Sequence, residues 1–361
     1  MREALMIGQK KGSFSAIVLI ATAVFLMGYS FLMPEKAMSA AQNALSVFAR
    51  SVLPSLFAFS VGAKLLIRSN FLSKLQGAAR FFRALGMSSG GFSAFAIGAV
   101  SGFPTGAAVL SELCERGEID EKEAASLLPF CNQAGASFVV GAVGVSVFES
   151  STVGILFFVS QTAAALLALL MTAHTRIPHL RETIGAETKR PRLISAVTSS
   201  ICESALAMLF VCGFIVFFSL CSAAVFDISE ALGFSLPQIF RVLLGGALEI
   251  SSGFSVLASA SVSQEVAILL GGALLGLGSL SVFLQTVDRT ERFFYQPRLY
   301  FLGKALTALL CASLSSLTFA LYQWKNSVFL CLIVLAALVL AVFLTAKIPF
   351  RTKIRVLEDK N

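Results

Sequence analysis

The residues Ser101-Gly102-Phe103-Pro104-Thr105-Gly106 interrupt an apolar stretch, 89–111, that is otherwise long enough to cross a membrane. Backbone groups left unpaired in hydrocarbon are costly. Irregular chain at membrane depth is therefore tolerated only where it is buried in protein or lines a watery cavity. A second cluster, Leu248-Glu249-Ile250-Ser251-Ser252-Gly253, interrupts the apolar stretch 236–258 in the same way. Paired interruptions in the two halves of a chain point to a transporter's binding site.

The surrounding composition fits that setting. Of 361 residues, 57% are hydrophobic and 13% charged, against about 25% charged in a soluble domain. The chain reads as an all-α polytopic membrane protein. The net charge of +8 does not indicate nucleic acid, because the Lys and Arg residues lie between apolar runs, where they set orientation. The seven cysteines form no CxxC pair and read as small packing residues. His174 and His179 share a basic loop without a neighbouring acid or Cys cluster, so no metal site is expected. No cofactor motif stands out. The apolar run 14–33, longer than a signal-peptide core, reads as a retained first helix.

Apolar segments fall at 14–33, 52–67, 89–111, 124–148, 151–173, 194–225, 236–258, 264–287, 299–320 and 327–346. Segment 70–86, with Lys74, Arg80 and Arg83 among apolar residues, reads as an interfacial helix. The positive-inside rule places Arg2, Lys10 and Lys11, then Arg68 to Arg83, the loop 174–193, the loop with Arg289, Arg292 and Arg298, and the basic tail on the cytoplasmic side. Both termini are then cytoplasmic. These assignments close only if one segment in each half turns back. The broken segments 89–111 and 236–258 are the ones to do so, as re-entrant hairpins entering from opposite faces.

The halves then match in order and oppose in orientation. The expected organisation is a first helix (1–35), a first repeat (36–173), a basic loop (174–193), a second, inverted repeat (194–320), and a last helix with its tail (321–361). A hairpin arm of about 11 residues spans about 16 Å, half of a core about 30 Å thick, so both tips reach the midplane. Pro104 suits a helix start, with Ser101 or Thr105 as cap. The following helix in each half is also loosened, at Asn132-Gln133-Ala134-Gly135-Ala136-Ser137 and at Gly276-Leu277-Gly278-Ser279 with Ser281 beyond. The expected solute site therefore comprises Ser101, Gly102, Pro104, Thr105, Gly106, Asn132, Gln133, Gly135, Ser137, Ser251, Ser252, Gly253, Ser279 and Ser281. Tight packing through small residues is the competing reading for the Gly and Ser positions. It explains Asn132 and Gln133 poorly.

Acids within spans are functional candidates. Glu249 beside the second tip and Glu203 in segment 194–225 are the expected proton or coupling-cation groups, against the alternative of an ion pair such as one with Arg241. The run Glu115, Glu118, Asp120, Glu121 and Glu123 reads as a solvated loop.

At SGFPTGA, SELCERGEI, EAASLLPFCNQAGASFVVGAVG, GALEISSG and GLGSLSVFLQ the chain resembles the sporulation integral membrane protein YlbJ family, within the group carrying the nucleoside-recognition (Gate) domain. The resemblance covers most of 36–320 and is tightest at SGFPTGA and FCNQAG. It implies a concentrative-nucleoside-transporter-like fold, a role in spore formation at the cell or forespore membrane, and transport of a small anionic or heterocyclic metabolite, with dipicolinate the leading candidate. Phe283 departs from the pattern, standing where a His is expected.

The expected function is thus a secondary transporter or facilitator, not an enzyme. Its partners are a small anionic solute, the bilayer and a coupling proton or cation, with a homo-oligomer left open. No Walker motif suggests ATP hydrolysis. The alternatives are a non-transporting scaffold for spore formation and, with no supporting constellation of side chains, an intramembrane enzyme.

Overall fold

The computed structural model describes residues 2–69, 86–173, 193–290 and 297–358. The interfacial segment at Lys74, Arg80 and Arg83, the basic loop with His174 and His179, and Arg292 lie outside the described residues.

Every regular element among the described residues is helical. Helix α1 (Arg2–Leu32) meets α2 (Pro34–Val47) at a bend of 110°. A π-helical turn, Phe48–Val52, joins α2 to α3 (Leu53–Arg68). Helices α4 (Ser89–Ser101) and α5 (Thr105–Glu115) form a hairpin. Next come α6 (Glu121–Cys131), the π-helical α7 (Phe138–Val145) with its short extension Ser146–Phe148, and α8 (Ser151–Met171). The second half opens with α9 (Leu193–Ala231). A second hairpin follows, α10 (Gln238–Leu248) and α11 (Ile250–Ala258). Helices α12 (Gln264–Leu277), α13 (Leu280–Arg289), α14 (Pro297–Lys325) and α15 (Val328–Glu358) complete the chain.

Four helices are long and apolar enough to cross a membrane: α8, α9, the α12–α13 pair taken together, and α14. The bent α1–α2 pair is a fifth. Phe31, Leu209, Leu309 and Phe329 are exposed, as suits helices bathed in lipid and not water. The chain is an integral membrane protein.

The packing repeats between halves. Helix α3 packs on the first hairpin and α9 on the second. Both arms of each hairpin pack on the first part of the broken helix that follows, α6 or α12. Across the halves, α8 packs on α12 and α14 on α6, while α5 reaches α13 and α11 reaches the extension of α7. Each second arm therefore touches the far part of the opposite broken helix. An apolar core containing Phe138, Phe157, Met208, Phe254 and Leu274 joins the halves. Another, with Phe95, Leu110, Leu127 and Leu169, surrounds the first hairpin.

Candidate functional site

The first hairpin turns at Gly102-Phe103-Pro104, where the sequence placed it. Gly102 adopts φ +81°, a left-handed conformation that favours glycine. A Cβ there would stand 2.4 Å from Gly135 N. The tip is docked backbone to backbone on the α6–α7 break, with Phe103 N–H donating to Gln133 O at 2.8 Å. Neither expected cap is used. Ser101 ends α4, Pro104 occupies the cap position of α5 with no side-chain cap, and Thr105 N–H donates to Gly102 O at 2.9 Å. Gly106 lies in the first turn of α5, against the Cys131 carbonyl.

The second hairpin turns at Glu249, two residues before Ser251-Ser252-Gly253. Glu249 is extended and caps α11: its carboxylate accepts from Ser252 N–H at 2.8 Å and from the Ser251 hydroxyl. Ser252 Oγ lies 3.0 Å from Ser219 Oγ of α9. Gly253 sits where the arms cross, and a Cβ on it would come within 2.4 Å of Gly246 Cα. The Ser-Gly run thus serves helix start and arm contact, while the carboxylate makes the turn.

Both tips and both breaks meet at a cavity of about 20 Å³, room for roughly one water. Phe103, Gly135 and Phe138 line it from the first half. Glu249, Ile250, Ser251, Val282 and Gln285 line it from the second, and Val52, Leu56, Val211 and Ile215 close the sides. Glu249 is 2% exposed. Arg241, considered as its partner, instead donates to Glu230 at 2.6 Å. Ser279 caps α13 by accepting from Val282 N–H at 3.2 Å, and Ser281 accepts from Gln285 Nε2 at 3.1 Å. Gln285 Oε1, Gln133 Oε1, Asn132 Oδ1 and Ser137 Oγ are buried without a hydrogen-bond partner among the described residues.

Asn132 is the hub beside this cavity. Its Nδ2 donates to Thr286 Oγ1 at 2.6 Å, and its carbonyl accepts from Lys304 Nζ at 2.5 Å. The Tyr300 hydroxyl reaches both Thr286 and Asn132. One residue therefore joins the α6–α7 break to α13 and α14. Lys304 is 2% exposed, and no carboxylate among the described residues pairs with it. Phe283 packs its ring on Tyr300 and Phe301, at 5.6 and 4.7 Å between centroids.

Glu203 lies elsewhere. Its carboxylate accepts from Lys64 at 2.8 Å and Arg68 at 2.7 Å, and it is 45% exposed. It borders a larger cavity, about 470 Å³, whose wall includes Pro104, Thr105, Lys64, Glu112, Phe210 and Arg289. This vestibule lies beside the small cavity along two helices: α3 contributes Ser60 to Ile67 to one and Val52 to Leu56 to the other, and α9 contributes Glu203 to Phe210 and then Val211 to Ile215. The first tip stands between them, with Phe103 on the cavity and Pro104 and Thr105 on the vestibule.

The acidic loop is drier than its composition suggests. Glu123 is 1% exposed and accepts from Ser88 N–H at 2.7 Å, capping the start of α4. Burial pushes the Glu118 carboxyl up, and nearby Arg116 offsets part of that shift.

Lys304, Tyr300, Thr286 and Gln285 escaped the sequence reading as site residues. Lys304 carried the signal of an ionisable residue in an apolar span.

These features define an all-α integral membrane protein with two short-armed hairpins set against two broken helices. The chain is similar to the sporulation integral membrane protein YlbJ of Bacillus subtilis (strain 168), 28% identical over 342 residues, which cover 84% of this chain and 81% of that protein. That similarity supports the YlbJ family. No family profile matches the chain. Among solved structures it is similar to a CNTnw variant in an outward-facing state, with TM-score 0.47, 15% identity and coverage of 86% of this chain and 85% of that one. A CNTnw variant in an intermediate 3 state gives TM-score 0.43, 16% identity and coverage of 88% and 86%.

Proposed function

We propose that the chain is a secondary transporter or facilitator that carries a small solute through the cavity between the hairpin tips, with the halves inverted in the membrane and both termini on the cytoplasmic side. The observation that carries this reading is the cavity itself: the tip of each hairpin and the broken helix that follows it line it from both halves. Irregular backbone at this depth is expected where it lines a solute path. The unpartnered amide oxygen of Gln285, a residue of the cavity wall, supplies an acceptor for a polar solute. A role in spore formation follows from the YlbJ relative's name, and dipicolinate rests on the family resemblance alone.

The charge of the site bears on coupling. The Glu249 carboxyl already caps the start of α11, the end where a helix favours negative charge. An anionic solute in the same cavity is repelled by that carboxylate unless a proton enters with it. The reading therefore pairs one proton on Glu249 with each anion bound. Uptake should rise as pH falls, and Glu249→Gln should flatten this dependence.

Proteoliposome uptake of dipicolinate, nucleosides and dicarboxylates tests the assignment. Asn132→Ala and Glu249→Ala are expected to insert normally and to lose uptake. Normal uptake by both variants rules out this site. Absence of uptake of any solute by the intact chain favours a membrane scaffold.

A further inference from the structure

We propose that the vestibule is a binding site in its own right, in which Arg289 captures the carboxylate of a solute with an apolar body before that solute reaches the midplane. This goes beyond the carrier reading, because the capture step is a binding event that needs no transport. The vestibule's volume, about 470 Å³, is that of a small-molecule site. Most of its charges are already engaged. Lys64 and Arg68 hold Glu203 at 2.8 and 2.7 Å, and Arg116 holds Glu112 at 2.5 Å.

Arg289 is different. Its nearest carboxylate is that of its chain neighbour Asp288, 3.8 Å from Nε. Its Cζ lies 5.5 Å from the centroid of the Phe210 ring, a placement that supports the cation from one face. Its two terminal nitrogens have no partner among the described residues. A guanidinium so placed has its bidentate edge free, and that edge matches a carboxylate. The wall around it is apolar, through Val109, Leu206, Met208 and Phe210. A bare inorganic anion gains nothing from such a wall, whereas an aryl carboxylate buries its ring there. With Glu203 held by Lys64 and Arg68 and Glu112 by Arg116, which also nears Glu118 at 4.0 Å, Arg289 is the lining charge left open to a solute.

Isothermal titration of the full chain in nanodiscs, with isophthalate as probe and its neutral diamide as control, tests this. Isophthalate is expected to bind, more weakly as salt is raised. The diamide and inorganic phosphate are expected not to bind at the same concentrations. Arg289→Gln should weaken isophthalate at least about tenfold, the scale of a lost charge-assisted pair. Arg289→Lys, which keeps the charge and loses the fork, should also weaken it and serves if the first variant does not fold. Lys36→Gln, which removes a cation paired with Asp227 and lining neither cavity, should leave the affinity unchanged. Equal binding of the diamide, or unchanged affinity in the Arg289 variants, overturns the capture site and leaves the midplane reading standing. Weakening by Lys36→Gln as large as that in the Arg289 variants makes the effect one of general charge and also overturns it.

Discussion

Lys304 shows how one side chain holds two halves together. Its ammonium caps the broken end of α6 through the Asn132 carbonyl, a place where a helix presents partial negative charge. Asn132 in turn binds Thr286 of α13 with its side chain. The two interactions are separable. Lys304→Ala strips a buried carbonyl of its donor, which costs about 1–3 kcal/mol, whereas Asn132→Ala keeps that carbonyl paired and removes its side-chain bonds to Thr286 and Tyr300, while Tyr300 keeps Thr286 as a partner, so the loss is about 1 kcal/mol. The thermal midpoint in detergent should therefore fall further for Lys304→Ala than for Asn132→Ala. At this scale the sequence was only partly legible. Asn132 and Gln133 stood out because amides in an apolar run need partners. Lys304 was not among the expected site residues, and the pattern of apolar runs does not show that Glu203 meets Lys64 and Arg68, because spacing alone does not show which neighbours a charged side chain will reach. Helix α9 has 39 residues, more than the apolar stretch used to gauge it, so Glu203 sits at a salt-bridged mouth.

The hairpins were legible as elements because their breaks are written in residues that cannot continue a helix under load. Gly102 and Pro104 mark the first turn unambiguously. The second was bounded only to Leu248–Gly253, since Ser and Gly serve close helix contact as readily as they serve turns. Only the capping geometry of Glu249 distinguishes the two uses. The distinction has a mechanical consequence. Gly253→Val inserts a branched side chain where the arms touch, at Gly246, an overpacking that costs about 1–3 kcal/mol. It should lower the thermal midpoint and abolish uptake while the Glu249 cap stays intact. A Ser252→Ala variant, which removes only the hydrogen bond to Ser219, should retain uptake.

Across the whole molecule, each hairpin packs both arms on its own half and its second arm on the opposite half as well. Neither half can shift without moving the second arm of both. This interlock was not legible in the sequence, where pairing between halves leaves no periodic mark. Access should be one-sided as well. A cysteine placed at Ala108, in the vestibule wall, should label with a membrane-impermeant maleimide from the side of the basic loops. A cysteine at Ile215, beside the small cavity, should resist the reagent from both sides.

The turn at Phe103 and Pro104 carries one more implication. Adjacent residues there face a closed chamber and an open one, so the door of this molecule is a single peptide unit thick. A gate that thin needs to swing only slightly to change which bulk phase wets the chamber. On the carrier reading proposed above, the work of alternation falls on opening one backbone hydrogen bond, Phe103 N–H to Gln133 O, and not on rearranging a domain.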